Sequence, residues 1–291
     1  MTGKSKAYVF IGLSALGYSV QTIFGKILLN SGLSPGELTC LEYTVGTVIT
    51  IGIALVSRNK RVWTETKANF KYLALISLLS VTLSQSLYMA LNRLNAGITS
   101  MLMFTNPVLI CLFFIVTHIK PITRSNKIAL AASFAGSLCV LDIAGQNTGA
   151  ISPAGVAFGM TASTLYAAYS IIYDLKLSKL SSYTTLTACL AISTVMAYMI
   201  NFRVILNFPH ISSKTLIIVI LATAITVLIP AYFLYAGIGI IGSEKASVAS
   251  TAELPLTMII AFFVLGESLK AIQIVGVVLI VGAIFILQKE G

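Results

Sequence analysis

The sequence predicts an all-α integral membrane protein of ten transmembrane helices, built as two inverted five-helix repeats with both termini on the inner side. Three observations carry this: roughly ten apolar stretches that nearly exhaust the chain, basic residues on alternate connections, and a self-similarity between the two halves. Hydrophobic residues fill 57% of 291 positions and charged residues 10%, with a mean hydropathy of +0.95. A water-soluble domain needs a polar exterior that this composition cannot supply, so the surface faces lipid.

The stretches lie near 7–29, 36–56, 72–92, 96–117, 127–145, 153–173, 182–202, 215–241, 246–265 and 270–288. Each is about 17 to 25 residues, the length a helix needs to cross a hydrocarbon core of about 30 Å. The first follows Lys4 and Lys6, as in a signal peptide, but it is too long and lacks a small-x-small cleavage site, so it is expected to stay as the first helix.

The net charge of +10 suggests nucleic acid until its placement is read. With the N-terminus inside, 14 of the 19 Lys and Arg fall on inner connections, and only Lys26, Arg93, Arg203, Lys214 and Lys270 fall outside. The expected partner of these charges is an anionic lipid surface, in a bacterial inner (plasma) membrane, and nucleic acid is excluded.

Residues 148 apart match at informative places: Tyr18 with Tyr166, Thr22 with Ser170, Pro107 with Pro255. The predicted repeats are 1–146 and 147–291, with a polar, turn-rich hinge around Gln146 to Pro153. Five helices per half is odd, so the second half enters the membrane from the opposite side. Such repeats characteristically place a solute site between them near the midplane.

Several pieces in order resemble the ten-helix, EamA-type branch of the drug/metabolite transporter superfamily. They are Gly17-Tyr18 to Phe24-Gly25-Lys26, Leu87-Tyr88-Met89-Ala90-Leu91 leading to Ala96-Gly97 and Asn106-Pro107, Tyr235-Ala236 leading to Ala246-Ser247, then Glu253-Leu254-Pro255 and Leu265-Gly266-Glu267. The resemblance covers almost the full chain. It implies a carrier of a small organic metabolite, such as an amino acid or amine, moved mainly outward by alternating access, with a multidrug or cationic-compound exporter as the alternative. Two departures stand out: Glu42 lies where the family often has arginine, and Thr117-His118-Ile119-Lys120 lacks the acid of its counterpart Gly266-Glu267.

Candidate site residues follow from what apolar surroundings penalise. A proline frees the carbonyl four residues earlier, so Pro107 and Pro255 expose those of Met103 and Thr251 near mid-span. Such carbonyls line a wet cavity or are repaired by neighbours such as Ser250 or Thr105. Pro230, without a counterpart, reads as a flexing point or an ordinary kink. An ionised acid at the depth of Glu253 costs roughly 2.5 to 3.5 kcal/mol. It is a candidate for carrying a proton, with H+ as coupling ion, or for contacting a cation; the bland alternative is a permanently neutral acid or one hydrogen-bonded to a neighbouring helix for packing.

Lys26 and Glu42, the latter about 9 Å along its helix at about 1.5 Å per residue, are expected to meet as a structural ion pair or an outer gate. Tyr18, Gln21, Tyr166 and Tyr169 share faces of equivalent helices, Gln85, Tyr88, Tyr232 and Tyr235 lie on another equivalent pair, and Asn106 adjoins Pro107. Tyr18 and Tyr166 are deep enough to meet a solute, whereas Tyr88, Tyr173 and Tyr235 suit an interfacial belt.

Cys40, Cys111, Cys139 and Cys189 have no metal-site spacing, and His118 and His210 fall at a helix end and in a loop, so inert thiols and no metal or other cofactor are expected. The spacings Gly155–Gly159 and Ala132–Gly136 read as close helix packing. An enzyme lacks its groups: there is no HExxH, no paired membrane aspartates and no GxxxxGK[ST], which also leaves ATP coupling without a site. A channel-like subunit would not explain mirrored prolines. Monomer and homodimer stay equally open.

Overall fold

The computed structural model describes residues 3–141, 152–204, 211–260 and 270–289. Residues 146–151 of the hinge predicted at Gln146 to Pro153, together with His210 and the Leu265-Gly266-Glu267 motif, lie outside the described residues. Among those described, all regular structure is helical. Eight stretches are long and apolar enough to cross a membrane: Gly3–Asn30, Pro35–Val56, Phe70–Leu91, Ala96–Thr117, Pro153–Leu177, Ser182–Ile200, Ser213–Ile241 and Ala271–Lys289. The other two predicted spans, 127–145 and 246–265, run into undescribed residues. The protein is thus an all-α, multi-pass membrane protein, and its exposed Val48, Leu55, Val116, Val195, Ile217 and Val278 suit a bilayer.

Among the described residues, three spans are interrupted, and the breaks shape the cavity. The first consists of α1 (Gly3–Tyr18) and α2 (Gln21–Asn30). After α3 (Pro35–Val56), α4 (Lys60–Ala68) and α5 (Phe70–Leu91) comes a second broken span, α6 (Ala96–Met103) and α7 (Asn106–Thr117). Then follow α8 (Arg124–Val140), α9 (Pro153–Ile172), α10 (Ser182–Ile200), α11 (Ser213–Thr223) and α12 (Ile229–Ile241). The third break separates α13 (Ser243–Ser250) from α14 (Glu253–Ile260), before α15 (Ala271–Lys289).

Pro107 is the second residue of α7 and Pro255 the third of α14. A proline in the first turn lacks a donor that would be unpaired there anyway, which is why each restarts a helix instead of kinking one. The carbonyls expected to be free are repaired. That of Met103 accepts from Asn106 Nδ2 at 2.7 Å and Ser163 Oγ at 3.2 Å, and that of Thr251 accepts from Leu254 N at 3.1 Å. Repair of Met103 comes from neither Thr105 nor Ser250, whose hydroxyls bond Leu102 and Ala246.

Pro230 heads α12 directly after a π-helical turn, Ala224–Leu228, which absorbs the missing bond by shifting register. Gly17 of α1 crosses at this point. A Cβ there would lie 2.3 Å from Pro230 Cγ and 2.7 Å from the Ile225 carbonyl oxygen. A second π-helical turn, Tyr173–Leu177, extends α9.

Helix α3 starts with a capping box. Ser34 Oγ accepts from Glu37 N at 3.3 Å while Glu37 Oε2 accepts from Ser34 N at 2.7 Å. Pairings of α8 with α15, α5 with α9, α1 with α12 and α10 with α3 and α5 assemble the bundle. The α8–α15 pair meets at glycines, since a Cβ on Gly136 would sit 2.7 Å from the Gly276 carbonyl oxygen. The small-residue spacing 132–136 therefore does serve close packing.

Candidate functional site

The broken spans converge with α3, α5, α9, α10 and α12 on a central cavity of ≈ 140 Å³. The breaks place side chains there that an unbroken helix would pack against its own turn. Tyr18 ends α1 and Gln21 opens α2, Asn106 opens α7, and Glu253 opens α14; all four line the cavity. Tyr166 and Tyr169 of α9 face them, with ring centroids 6.3 Å apart.

The two acids are inequivalent. Glu42, on α3, is buried and accepts a hydrogen bond from the Tyr88 hydroxyl at 2.5 Å, while Gln21 bonds Tyr88 in turn. Glu253 lines the cavity with no hydrogen bond or ion pair to its carboxylate among the described residues. None of the described lining residues is Lys, Arg or His. Asn106, 8% exposed, spends its amide nitrogen on the Met103 carbonyl, and its Oδ1 is buried without a partner. Because a carbonyl oxygen accepts only from N–H or O–H, that bond also fixes which way the Asn106 amide points. The polar atoms at the two mirrored helix heads that have no partner at all are both acceptors.

The expected meeting of Lys26 with Glu42 does not occur. Lys26 Nζ instead donates to the carbonyls of Leu91 at 2.6 Å and Leu94 at 3.2 Å, satisfying the C-terminal end of α5, where backbone carbonyls lack helical partners. Tyr88, Tyr173 and Tyr235 do not form an interfacial belt: they are 1%, 1% and 2% exposed. Tyr235 lines the cavity and accepts from the Tyr169 hydroxyl, and its own carbonyl accepts from Tyr173 at 3.0 Å. A polar tip satisfied inside a bundle can bury a ring that hydropathy alone places at the boundary.

Of the other named residues, Pro107 and Pro255 are buried at the helix heads beside the cavity. Gln85 faces a second, more open pocket with Ser34, Arg93 and Arg203, where its Oε1 accepts from Asn201 at 3.3 Å. Tyr232 is 40% exposed and packs edge-on against Phe233, away from the cavity. The sequence reading missed Tyr43, whose hydroxyl bonds Ser80 at 2.7 Å and Ser84 at 3.0 Å on the cavity wall. The spacing of four that puts Ser80 and Ser84 on one face of α5 was the available signal. Cys189 also lines the cavity.

A second unforeseen cluster joins the ends of three cavity-forming spans. Asp174, in the π-helical turn after α9, accepts on one oxygen from Lys120 Nζ at 2.7 Å and from Ser243 N and Oγ, each at 2.8 Å. Glu244 Oε2 lies 3.8 Å from the same Lys120. Asp174 thereby caps α13 from another helix, which Gly242, with φ 83°, cannot do for itself.

A multi-pass helical membrane protein, broken at mid-span around a buried polar cavity, has the construction of a membrane transporter. The chain belongs to the EamA-like transporter family, whose pattern it matches twice, over residues 5–142 and 153–288. It is 27% identical over 289 residues to an uncharacterized transporter of Clostridium kluyveri, covering 95% of this chain and 91% of that one. It also superimposes on a protein of known crystal structure with a TM-score of 0.75 at 15% identity, covering 97% of this chain and 96% of the other, a likeness of fold. These place it in the drug/metabolite transporter superfamily as a membrane transporter.

Proposed function

We propose that the protein is a secondary-active carrier that moves a small organic metabolite with a positively charged amine end outward across a bacterial plasma membrane by alternating access. The proposed topology is ten spans in two inverted five-helix repeats with both termini inside. The 148-residue offset, the two successive family matches and the breaks at Phe104–Thr105 and Thr251–Ala252 support the repeat. The placement of basic residues supports the orientation.

The observation that carries the substrate reading is Glu253, an acid in the cavity with no cation beside it among the described residues. A carboxylate in such surroundings needs a compensating positive group, and the tyrosines around it offer π faces to the same group. With the site empty of solute, a proton serves instead, which makes H+ the proposed coupling ion. Glu253→Gln in proteoliposomes tests this with a pH gradient across the membrane. Gradient-driven amine flux is expected to disappear while the variant still folds; undiminished gradient-dependent flux in the variant refutes the role.

A further inference from the structure

The cavity's unspent hydrogen-bonding atoms restrict the solute more tightly than its acid does. An α-amino acid brings two ends, and its carboxylate needs a cation or several free N–H donors once out of water. The described lining has no Lys, Arg or His. Each of its two amides already has one partner: Asn106 Nδ2 holds the Met103 carbonyl and Gln21 bonds Tyr88. The Tyr43, Tyr88 and Tyr169 hydroxyls are committed to Ser80 and Ser84, Glu42 and Tyr235. The donors left over, among them the Tyr18 hydroxyl and the second N–H of each amide, are neutral, and the acceptors left without a partner are the carboxylate of Glu253 and the buried Oδ1 of Asn106. Adding a further carboxylate to a space already holding Glu42 and Glu253 sets like charges against each other.

We infer that the cavity recognises a compact primary amine lacking a carboxylate, its ammonium shared between Glu253 and Asn106 Oδ1. This rests on the proposal that the cavity is the transport site. An ammonium carries three donors and no acceptor, the complement of two acceptors at the heads of α7 and α14. The space, ≈ 140 Å³, is close to the roughly 150 Å³ that holds one benzene, so the rest of the molecule is about one ring or a short branched chain. Asn106 is then a specificity-determining residue as well as the repair of the helix break, and Ser163 Oγ, also on the Met103 carbonyl, sustains the repair if Asn106 changes.

Matched pairs of ligands test this on the purified protein by thermal shift and calorimetry: phenethylamine with phenylalanine, histamine with histidine, isoamylamine with leucine. The amines are expected to bind about 100-fold or more tightly than the amino acids, the difference of an unpaired buried charge. Phenylalanine amide, nearly the size of phenylalanine but without the anionic end, should bind like the amine. Asn106→Leu should weaken phenethylamine about tenfold, and N,N,N-trimethylphenethylammonium, which has no N–H to give, should bind the unaltered protein about tenfold more weakly than phenethylamine. That ligand series needs no variant, so the assignment stays testable if Asn106→Leu does not fold. Phenylalanine binding as tightly as phenethylamine, with both lost in Glu253→Gln, overturns the carboxylate-free class and leaves the cation reading standing. Equal binding of the trimethyl and primary compounds overturns the role of Asn106. No amine binding at all overturns this inference and the proposed function together.

Discussion

Replacing Asp174 by alanine should destabilise the protein by about 2 to 4 kcal/mol. One carboxylate oxygen accepts two bonds from Ser243, each 2.8 Å, and one from Lys120 at 2.7 Å. A hydrogen bond to a charged group is worth about 1.5 to 3 kcal/mol. The Lys120 side chain is 30% exposed, so its share is discounted to about 1 kcal/mol, and Ser243 Oγ recovers part of its loss by rotating. Asp174→Asn keeps an acceptor for Ser243 but loses the charge, for an expected loss of about 1 to 2 kcal/mol. Unfolding in mixed micelles can be followed by dye labelling of Cys40, Cys111 and Cys189, all buried; Trp63, 49% exposed, is a poor reporter. A double-mutant cycle with Lys120→Met should give a coupling of about 1 kcal/mol. A loss below about 0.5 kcal/mol in Asp174→Ala would show that the cluster does not hold the three spans together.

Gly276→Ala places a Cβ 2.6 Å from the Gly136 carbonyl oxygen and 2.7 Å from Val140 N, backbone atoms that cannot step aside. Overpacking of about 1 to 3 kcal/mol outweighs a helix-propensity gain of about 1, whereas Gly282→Ala on the same helix meets open space and should be neutral or stabilising; equal effects in the labelling assay would sink the argument. Tyr88→Phe strips Glu42 of its hydroxyl donor and should cost about 1 to 3 kcal/mol, part of which a Glu42→Leu, Tyr88→Phe double variant should restore. Failure of any recovery would mean the bond contributes little. Lys26→Met releases the Leu91 and Leu94 carbonyls and should lower stability by about 1 to 2 kcal/mol, with wild-type behaviour counting against the capping role.

The legible part of the site is the set of positions where local chemistry is costly in an apolar segment. Tyr18, Gln21, Asn106, Tyr166, Tyr169, Glu42 and Glu253 all stand out in this way, and all line the cavity. The illegible part is pairing across helices. Lys26 and Glu42 are opposite charges at similar depth, yet each takes a neutral partner from α5, a carbonyl for one and a phenol for the other. Nothing in the sequence pairs Asp174 with Lys120, because they lie 54 residues apart. Tyr235 and Tyr173 stand near helix ends, and only the packing of their two rings against each other, tilted by 45° with centroids 4.6 Å apart, shows why they are buried.

Composition and the spacing of prolines determined by themselves that this chain is a helical membrane protein with interruptions at Pro107 and Pro255. Those are properties of residues against their own solvent and their own helix, and neither requires knowing a neighbour. The tertiary structure alone decided which polar atoms are used up. Asn106 is an ordinary membrane amide until the Met103 carbonyl takes its nitrogen and leaves Oδ1 bare. Glu42 and Glu253 are two similar acids until Tyr88 reaches one and no described residue reaches the other. A hydrogen bond acts over about 3 Å, so which groups are satisfied and which face a solute depends on helix packing that no stretch of sequence contains.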